Sequence, residues 1–205
     1  MKEILAQRKQ SERQERINRV LSAAGELFLK KGYTNTTMRD ICRKAALSTG
    51  AVYFYFKSKD AIYAQICENI FGFLESRFKK ELSGEKEPEK RLRAMAGSYL
   101  DFYISFKDQW EIIKGFRTVG LPEEILQNLL LIDMQLFGLL RGIVDEFLRE
   151  RHRYTRHNSE EVAVALWGSV EGLLAIHNMG FFKSTSLDLK QMVSSQIDIF
   201  LAGLT

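Results

Sequence analysis

The sequence predicts an all-α protein of about nine helices, and three observations carry that prediction. Only two prolines, Pro88 and Pro122, interrupt 205 residues, a scarcity that suits long helices. Apolar residues recur at three- and four-residue spacing, the period of a helix with one buried face. The one strand-like run, Ala51 to Phe56, has no hairpin partner and no second strand signal nearby. Hydrophobic residues at 45% and charged residues at 27% give an ordinary globular composition, which excludes wholesale disorder.

Each element follows from its own residues. Ile17, Val20, Leu21, Ala24, Leu27 and Phe28 share a helical stripe, and Gly32 ends that first helix. Thr37, with Asp40 three residues on, forms a start signal of the capping-box kind for a short helix that buries Ile41, Cys42 and Ala45. Ser48 starts a second short helix. In it Val52 and Phe56 face the core, Phe54 fills the flank, and Tyr53 and Tyr55 point outward. Ser58 caps a longer helix through Ile62, Ile66, Ile70, Phe73, Leu74 and Phe78 to about Leu82. The polar segment Ser83 to Lys90 connects it to helices over Glu89 to Phe106 and Asp108 to about Thr118. A helix from Pro122 to about Arg151 would be about 45 Å long. The run HRYTRHNS reads as a loop with solvated His152 and His157. Ser159 then starts an apolar helix to Phe182, and Ser186 starts the last, to about Ala202.

Charge is placed unevenly. Residues 1–60 hold 13 Lys/Arg against 6 Asp/Glu, whereas the remainder is mildly acidic, leaving a net charge of +4. This asymmetry suggests a polyanion partner for the first part alone, with a merely solvated basic surface as the other reading. Lys2, Arg8, Lys9, Arg13 and Arg16 read first as a frayed, solvated terminus, and second as an arm for phosphates or the minor groove. Cys42 and Cys67 are too few for a disulfide framework or zinc site, which points to a reducing, cytoplasmic setting. The N-terminus lacks the apolar core of a signal peptide. Val162 to Phe182 is apolar enough to suggest a membrane span, but Glu171 at its centre would cost roughly 2.5–3.5 kcal/mol there. No membrane partner is expected.

Two short helices joined by a tight turn, after a longer helix, make a helix-turn-helix, whose second helix normally enters the DNA major groove. The residues then add a resemblance. AAGELFLKKGY, the Thr36–Thr37 pair, Ile41, Ala45, Ser48, Gly50, Tyr53, Tyr55–Phe56 and Lys59 resemble, at matching spacing, the N-terminal domain of TetR-family transcriptional regulators. The resemblance covers about residues 12–66. It implies a DNA-binding domain over residues 1–60 and a helical ligand-sensing and dimerisation domain over 61–205.

The candidate DNA contacts are Thr37, Arg39, Ser48, Thr49, Gly50, Tyr53, Tyr55 and Lys59. Thr37 caps its helix and can meet phosphate. Ser48, Thr49 and Gly50 open the recognition helix, where free amides attract phosphate oxygens and glycine permits close approach. Tyr53 resembles the family's groove-edge residue, and Tyr55 and Lys59 resemble its backbone anchors. Arg39 and Arg43 are as readily a solvated face. Two positions depart from the family. Ala46 stands where glycine is usual, at about 1–2 kcal/mol if the turn is left-handed. Met38 replaces a base-reading arginine found in some members.

Beyond residue 61 the apolar surface exceeds what one core needs. Leu166, Val170, Leu173 and His177 on the long apolar helix, with Ile197 and Phe200 on the last, are the candidate dimerisation residues. Phe102, Phe106, Trp110, Phe116, Met134, Phe137 and Trp167 are candidates for a ligand pocket, with plain core as the alternative for most. Asp133, Glu171, His177 and Asn178 are polar groups inside apolar stretches and need partners, in a structural network or a ligand. Glu171 is the best single ligand candidate, favouring an apolar or cationic amphipathic molecule. No nucleophile elbow, phosphate loop or metal cluster supports catalysis, and no cofactor is expected.

The expected function is a ligand-responsive repressor, binding a palindromic operator as a homodimer with two recognition helices about 34–36 Å apart. An unknown small-molecule effector would release it. The alternative is a DNA-binding regulator controlled by a protein partner.

Overall fold

The structure, a computed structural model, describes residues 1–150 and 158–203, with the backbone alone at Lys2 and Glu3. The loop expected over HRYTRHNS, with His152 and His157, therefore lies largely outside the described residues. Nine α-helices are described: α1 (Lys2–Lys31), α2 (Met38–Ala45), α3 (Thr49–Tyr55), α4 (Lys59–Leu82), α5 (Pro88–Ser105), α6 (Lys107–Gly115), α7 (Glu123–Glu150), α8 (Ser159–Asn178) and α9 (Leu189–Gly203). A 3-10 turn at Phe181–Ser184 precedes α9, and no strand occurs among the described residues. Ala51 to Phe56 is thus helical up to Tyr55.

Two compact units emerge, and their boundary does not fall at residue 60. The first comprises residues 1–72 and 106–132, and the second residues 73–105 with the described part of 133–205. In the first unit α1 packs against α2 and α6, and α2 against α3. Its core is aromatic: the Phe28 ring lies 5.5 Å from that of Tyr33 and 5.3 Å from that of Tyr63. The Tyr63 hydroxyl donates to the Ile112 carbonyl at 2.7 Å, tying α4 to α6. Gly25 leaves a space in which an added methyl would sit 3.8 Å from Ile112, so α1 and α6 approach closely. Sequence spacing alone could not reveal that a helix eighty residues downstream completes this core.

The second unit holds α5, α8 and α9 together, with α9 packed on both others. Val162, Ala163, Leu166, Val170 and Leu174 form one buried face of α8. Its opposite face is exposed in the single chain: Val164 is 51% exposed, and Ile176 and, just past the helix end, Met179 are exposed as well. α8 also ends at Asn178 rather than Phe182, because Gly180 turns left-handed (φ 81°) and the chain tightens into the 3-10 turn. Asn158, one residue earlier than expected, caps α8 in a reciprocal box with Glu161. No described helix is long and apolar enough to cross a membrane.

The N-terminus also differs from the frayed terminus expected. α1 is helical from Lys2, and residues 4–16 are exposed all round.

Candidate nucleic-acid interface

The helix-turn-helix is assembled by local hydrogen bonds that the sequence supplies almost completely. The Thr37 hydroxyl accepts from the Asp40 amide at 3.2 Å, and the Asp40 carboxylate accepts from the Thr37 amide at 3.1 Å, closing the capping box. Asp40 also receives Lys31 Nζ at 2.6 Å and the Arg43 guanidinium at 3.0 Å. The Lys31 hydrogen bond, then those from Thr37, hold this carboxyl well below the usual aspartate range. An unfolded Asp40 binds its proton near pH 4, well before the folded one does. Its contribution to stability is therefore complete at neutral pH and is lost as pH falls below about 4. Asp40→Asn should flatten the decline of the urea midpoint between about pH 5 and 3. Parallel declines in both proteins would show that Asp40 is not linked to acid unfolding.

At the turn, Ala46 adopts the left-handed conformation (φ 52°, ψ 46°), the single non-glycine residue with positive φ among those described. The Leu47 amide donates to the Cys42 carbonyl at 3.1 Å and the Ala46 amide to the Arg43 carbonyl at 3.2 Å, the paired bonds of a Schellman ending. Arg19 reaches over from α1 and donates to the Ala45 and Ala46 carbonyls at 2.6 and 3.2 Å. The turn thus keeps the geometry that glycine would adopt freely. Ala46→Gly should raise stability by about 0.5–1 kcal/mol, the relief of strain less the extra freedom of the unfolded chain. An unchanged melting temperature would show that the turn is unstrained.

The Ser48 hydroxyl accepts from the Ala51 amide at 3.2 Å and caps α3, which Val52 (0% exposed) and the following Phe56 seat in the core. With those two buried, the outward face of α3 carries Gly50, Tyr53 and Phe54. Thr49 is exposed beside them and Tyr55 is half-buried. Phe54 does not fill the flank as expected: it is 72% exposed, its ring edge-on to Tyr55 at 5.1 Å. It lies four residues after Gly50, so the two share a face. This position was misread because Val52 and Phe56 suffice to seat the seven-residue helix.

Lys59 opens α4 after the Ser58 cap, whose hydroxyl accepts from the Ala61 amide at 3.1 Å. Its ammonium donates to the Tyr33 carbonyl at 2.7 Å and sits 4.1 Å above the Tyr33 ring. The Tyr33 hydroxyl donates to Asp60, and burial first, then this bond, pushes the phenol above its ordinary value. Residues 59 and 60 therefore pin the start of α4 to the loop before α2. One ammonium has three donors, so a phosphate contact remains open to Lys59. Arg39 and Arg43 lie on α2, both exposed, with Arg43 paired with Asp40.

The pocket candidates divide between the units. Phe106, Trp110 and Phe116 lie in the first, where Trp110 and Phe116 are buried and the Phe116 ring meets Phe71 edge-on at 5.7 Å. Phe102, Phe137, Trp167 and Glu171 lie in the second, Phe102 fully buried and Phe137 6.0 Å from Trp167. Met134 is 54% exposed rather than central. The singled-out polar groups have internal partners. The Tyr99 hydroxyl donates to Glu171, and its proton is held by burial and by that carboxylate's charge. The Tyr103 hydroxyl lies 2.6 Å from both His177 Nδ1 and Asn178 Oδ1. With one proton it serves both by donating to Asn178 and accepting from a protonated Nδ1.

Of the dimerisation candidates, Leu166, Val170 and Ile197 are buried within the chain, and Leu173, His177 and Phe200 are half-buried. The exposed apolar positions are others on the same helices. The sequence signal was the excess of apolar residues on α8, but spacing could not tell which side faced inward.

This fold and this face are those of a helix-turn-helix module. Residues 20–66 match the family described as bacterial regulatory proteins, tetR family. The HTH-type transcriptional regulator HbdR of Aromatoleum sp. (strain CIB) is 37% identical over 79 residues, 38% of this chain and 34% of that protein. The repressor NicS of Pseudomonas putida is 27% identical over 130 residues, covering 62% and 60%. YerO of Bacillus subtilis is 28% identical over 131 residues, covering 62% and 45%. The chain thus spans about a third to three-fifths of the length of these relatives. Among solved structures, the fatty acid degradation regulator FadR of Bacillus halodurans superposes with a TM-score of 0.75 at 15% identity, over 92% of this chain and 96% of that one. FadR of Bacillus subtilis, solved with stearoyl-CoA, gives 0.74 at 19% over 90% and 97%. These structures share the fold. Residues 20–66 thus belong to the TetR family of bacterial regulatory proteins.

Proposed function

We propose that the protein is a dimeric, ligand-released repressor of a palindromic operator. The observation that supports DNA reading most directly is the outward face of α3, where Gly50, Tyr53 and Phe54 stand exposed on a helix anchored by Val52 and Phe56. In this reading α3 lies in the major groove, and Tyr53 donates its hydroxyl to a phosphate or base edge. Thr37, Ser48, Thr49, Tyr55 and Lys59 hold the backbone beside it. Lys59→Ala should lower the slope of log affinity against log salt by about one per half-site. A preserved slope, with lower stability alone, would limit Lys59 to pinning α4.

Dimerisation is assigned to the exposed apolar face of α8, together with the exposed Ile199 of α9. For the effector, the second unit offers Phe137, Trp167 and the Glu171–Tyr99 pair, a combination suited to an apolar or amphipathic molecule. Binding would act by favouring one of two conformers that differ in the tilt of α4. The stearoyl-CoA bound by the B. subtilis FadR belongs to this amphipathic class.

Selection of bound sequences from random duplex DNA, with Tyr53→Ala as control, tests the reading. An enriched palindrome, lost in the variant, is the expected result. Equal binding by both proteins without enrichment would reduce the interaction to nonspecific electrostatics and shift the assignment to control by a protein partner.

A further inference from the structure

We infer that Phe54 reads thymine, packing its ring against thymine C5-methyl groups in the major groove of each operator half-site. The inference rests on the DNA-reading role proposed for α3 and adds a base preference to it. The side chains of α3 are Thr49, Gly50, Ala51, Val52, Tyr53, Phe54 and Tyr55. None is an arginine, lysine, asparagine or glutamine, the residues that read guanine or adenine by paired hydrogen bonds. With Val52 buried, base reading by this helix is left to the Thr49 and Tyr53 hydroxyls and to apolar contact. The large apolar group on the outward face is Phe54, 72% exposed despite its edge-on contact with Tyr55. Gly50 lies one turn before it, and an added methyl there would meet nothing in the protein within 4 Å. The backbone beside Phe54 is therefore bare, which lets a groove come close to the ring. The apolar feature of the major-groove edges is the thymine methyl, the complement of such a ring.

The test uses the full-length protein on the operator found by selection. Each thymine of a half-site is replaced in turn, symmetrically in both half-sites, by deoxyuracil, which keeps pairing and removes only the methyl. Burial of one methyl corresponds to about four-fold in affinity, so a symmetric pair of replacements should weaken wild-type binding by about fifteen-fold at the contacted position. Phe54→Ala should bind the thymine operator correspondingly weakly and be insensitive to the same replacement, while Phe54→Leu should retain part of the sensitivity. Melting temperatures of both variants close to wild type would show that the loss is in recognition. Indifference of the wild type to deoxyuracil at every position, or undiminished sensitivity in Phe54→Ala, would overturn the inference and leave the repressor reading standing. Failure of the wild type to enrich any sequence would overturn both.

Discussion

Replacing Gly50 by alanine is expected to stabilise the protein and weaken its hold on DNA. Gly50 sits in the first turn of α3, outside the group of glycines with positive φ. Its backbone conformation is thus open to alanine, and a methyl placed there meets nothing within 4 Å. At such a site alanine stabilises by about 0.4–1 kcal/mol, mainly by restricting the unfolded chain. For a protein of this length that raises the melting temperature by roughly 1–4 °C. Nothing inside the chain calls for glycine here. The remaining reason is close approach of something outside it, and the operator backbone or base edges are the proposed neighbour. A methyl in that gap would lengthen or break hydrogen bonds to charged phosphate oxygens, worth about 1.5–3 kcal/mol, or roughly ten- to a hundred-fold per half-site. Denaturation and operator titration on one preparation would read both effects. Higher stability with unchanged affinity would remove Gly50 from the interface.

The contrast between this face and the rest of the chain shows what the sequence made legible. Caps act on neighbours three positions away, so Thr37, Asp40, Ser48 and Ser58 were read correctly from spacing and local chemistry alone, whereas Ala46 stood out only against the family's glycine. The outward placement of Tyr53 followed from the same period. Phe54 did not, because hydrophobicity alone assigns a phenylalanine to the core. Only the burial of Val52 and Phe56 reveals that the short helix has no room for a third anchor. Long-range partners were less visible still. Nothing in α6 announces that its Ile112 carbonyl accepts from Tyr63, or that Trp110 and Phe116 belong to the same compact unit as α1 to α3. Glu171 was rightly singled out as a polar group needing a partner. That the partner is Tyr99, a residue 72 positions earlier, depends on packing that no local pattern encodes.

Placing an arginine at Ala175 is expected to leave the fold intact, separate the proposed dimer and abolish operator binding. Val164, Gly168, Ala175 and Met179 share the side of α8 opposite Leu166 and Val170, and all four are exposed or bare in the single chain. The face is apolar and low in relief, with two glycines, Gly168 and Gly172, one turn apart. Such a surface suits close packing of a second helix and is unusual on a surface meant for water. Arginine is a good helix former, and at an exposed position it strains nothing within the chain. In a dimer it would bury an unpaired charge on each side of the two-fold, costing several kcal/mol. The dimer dissociation constant should rise by roughly a hundred-fold or more, read by sedimentation at micromolar concentration. Loss of operator binding should follow, because each isolated subunit reads one half-site and forfeits the gain from linking two. A variant that remains dimeric with full operator affinity would move the interface away from α8. A monomer that still binds the palindrome as tightly as wild type would instead remove the requirement for two linked recognition helices.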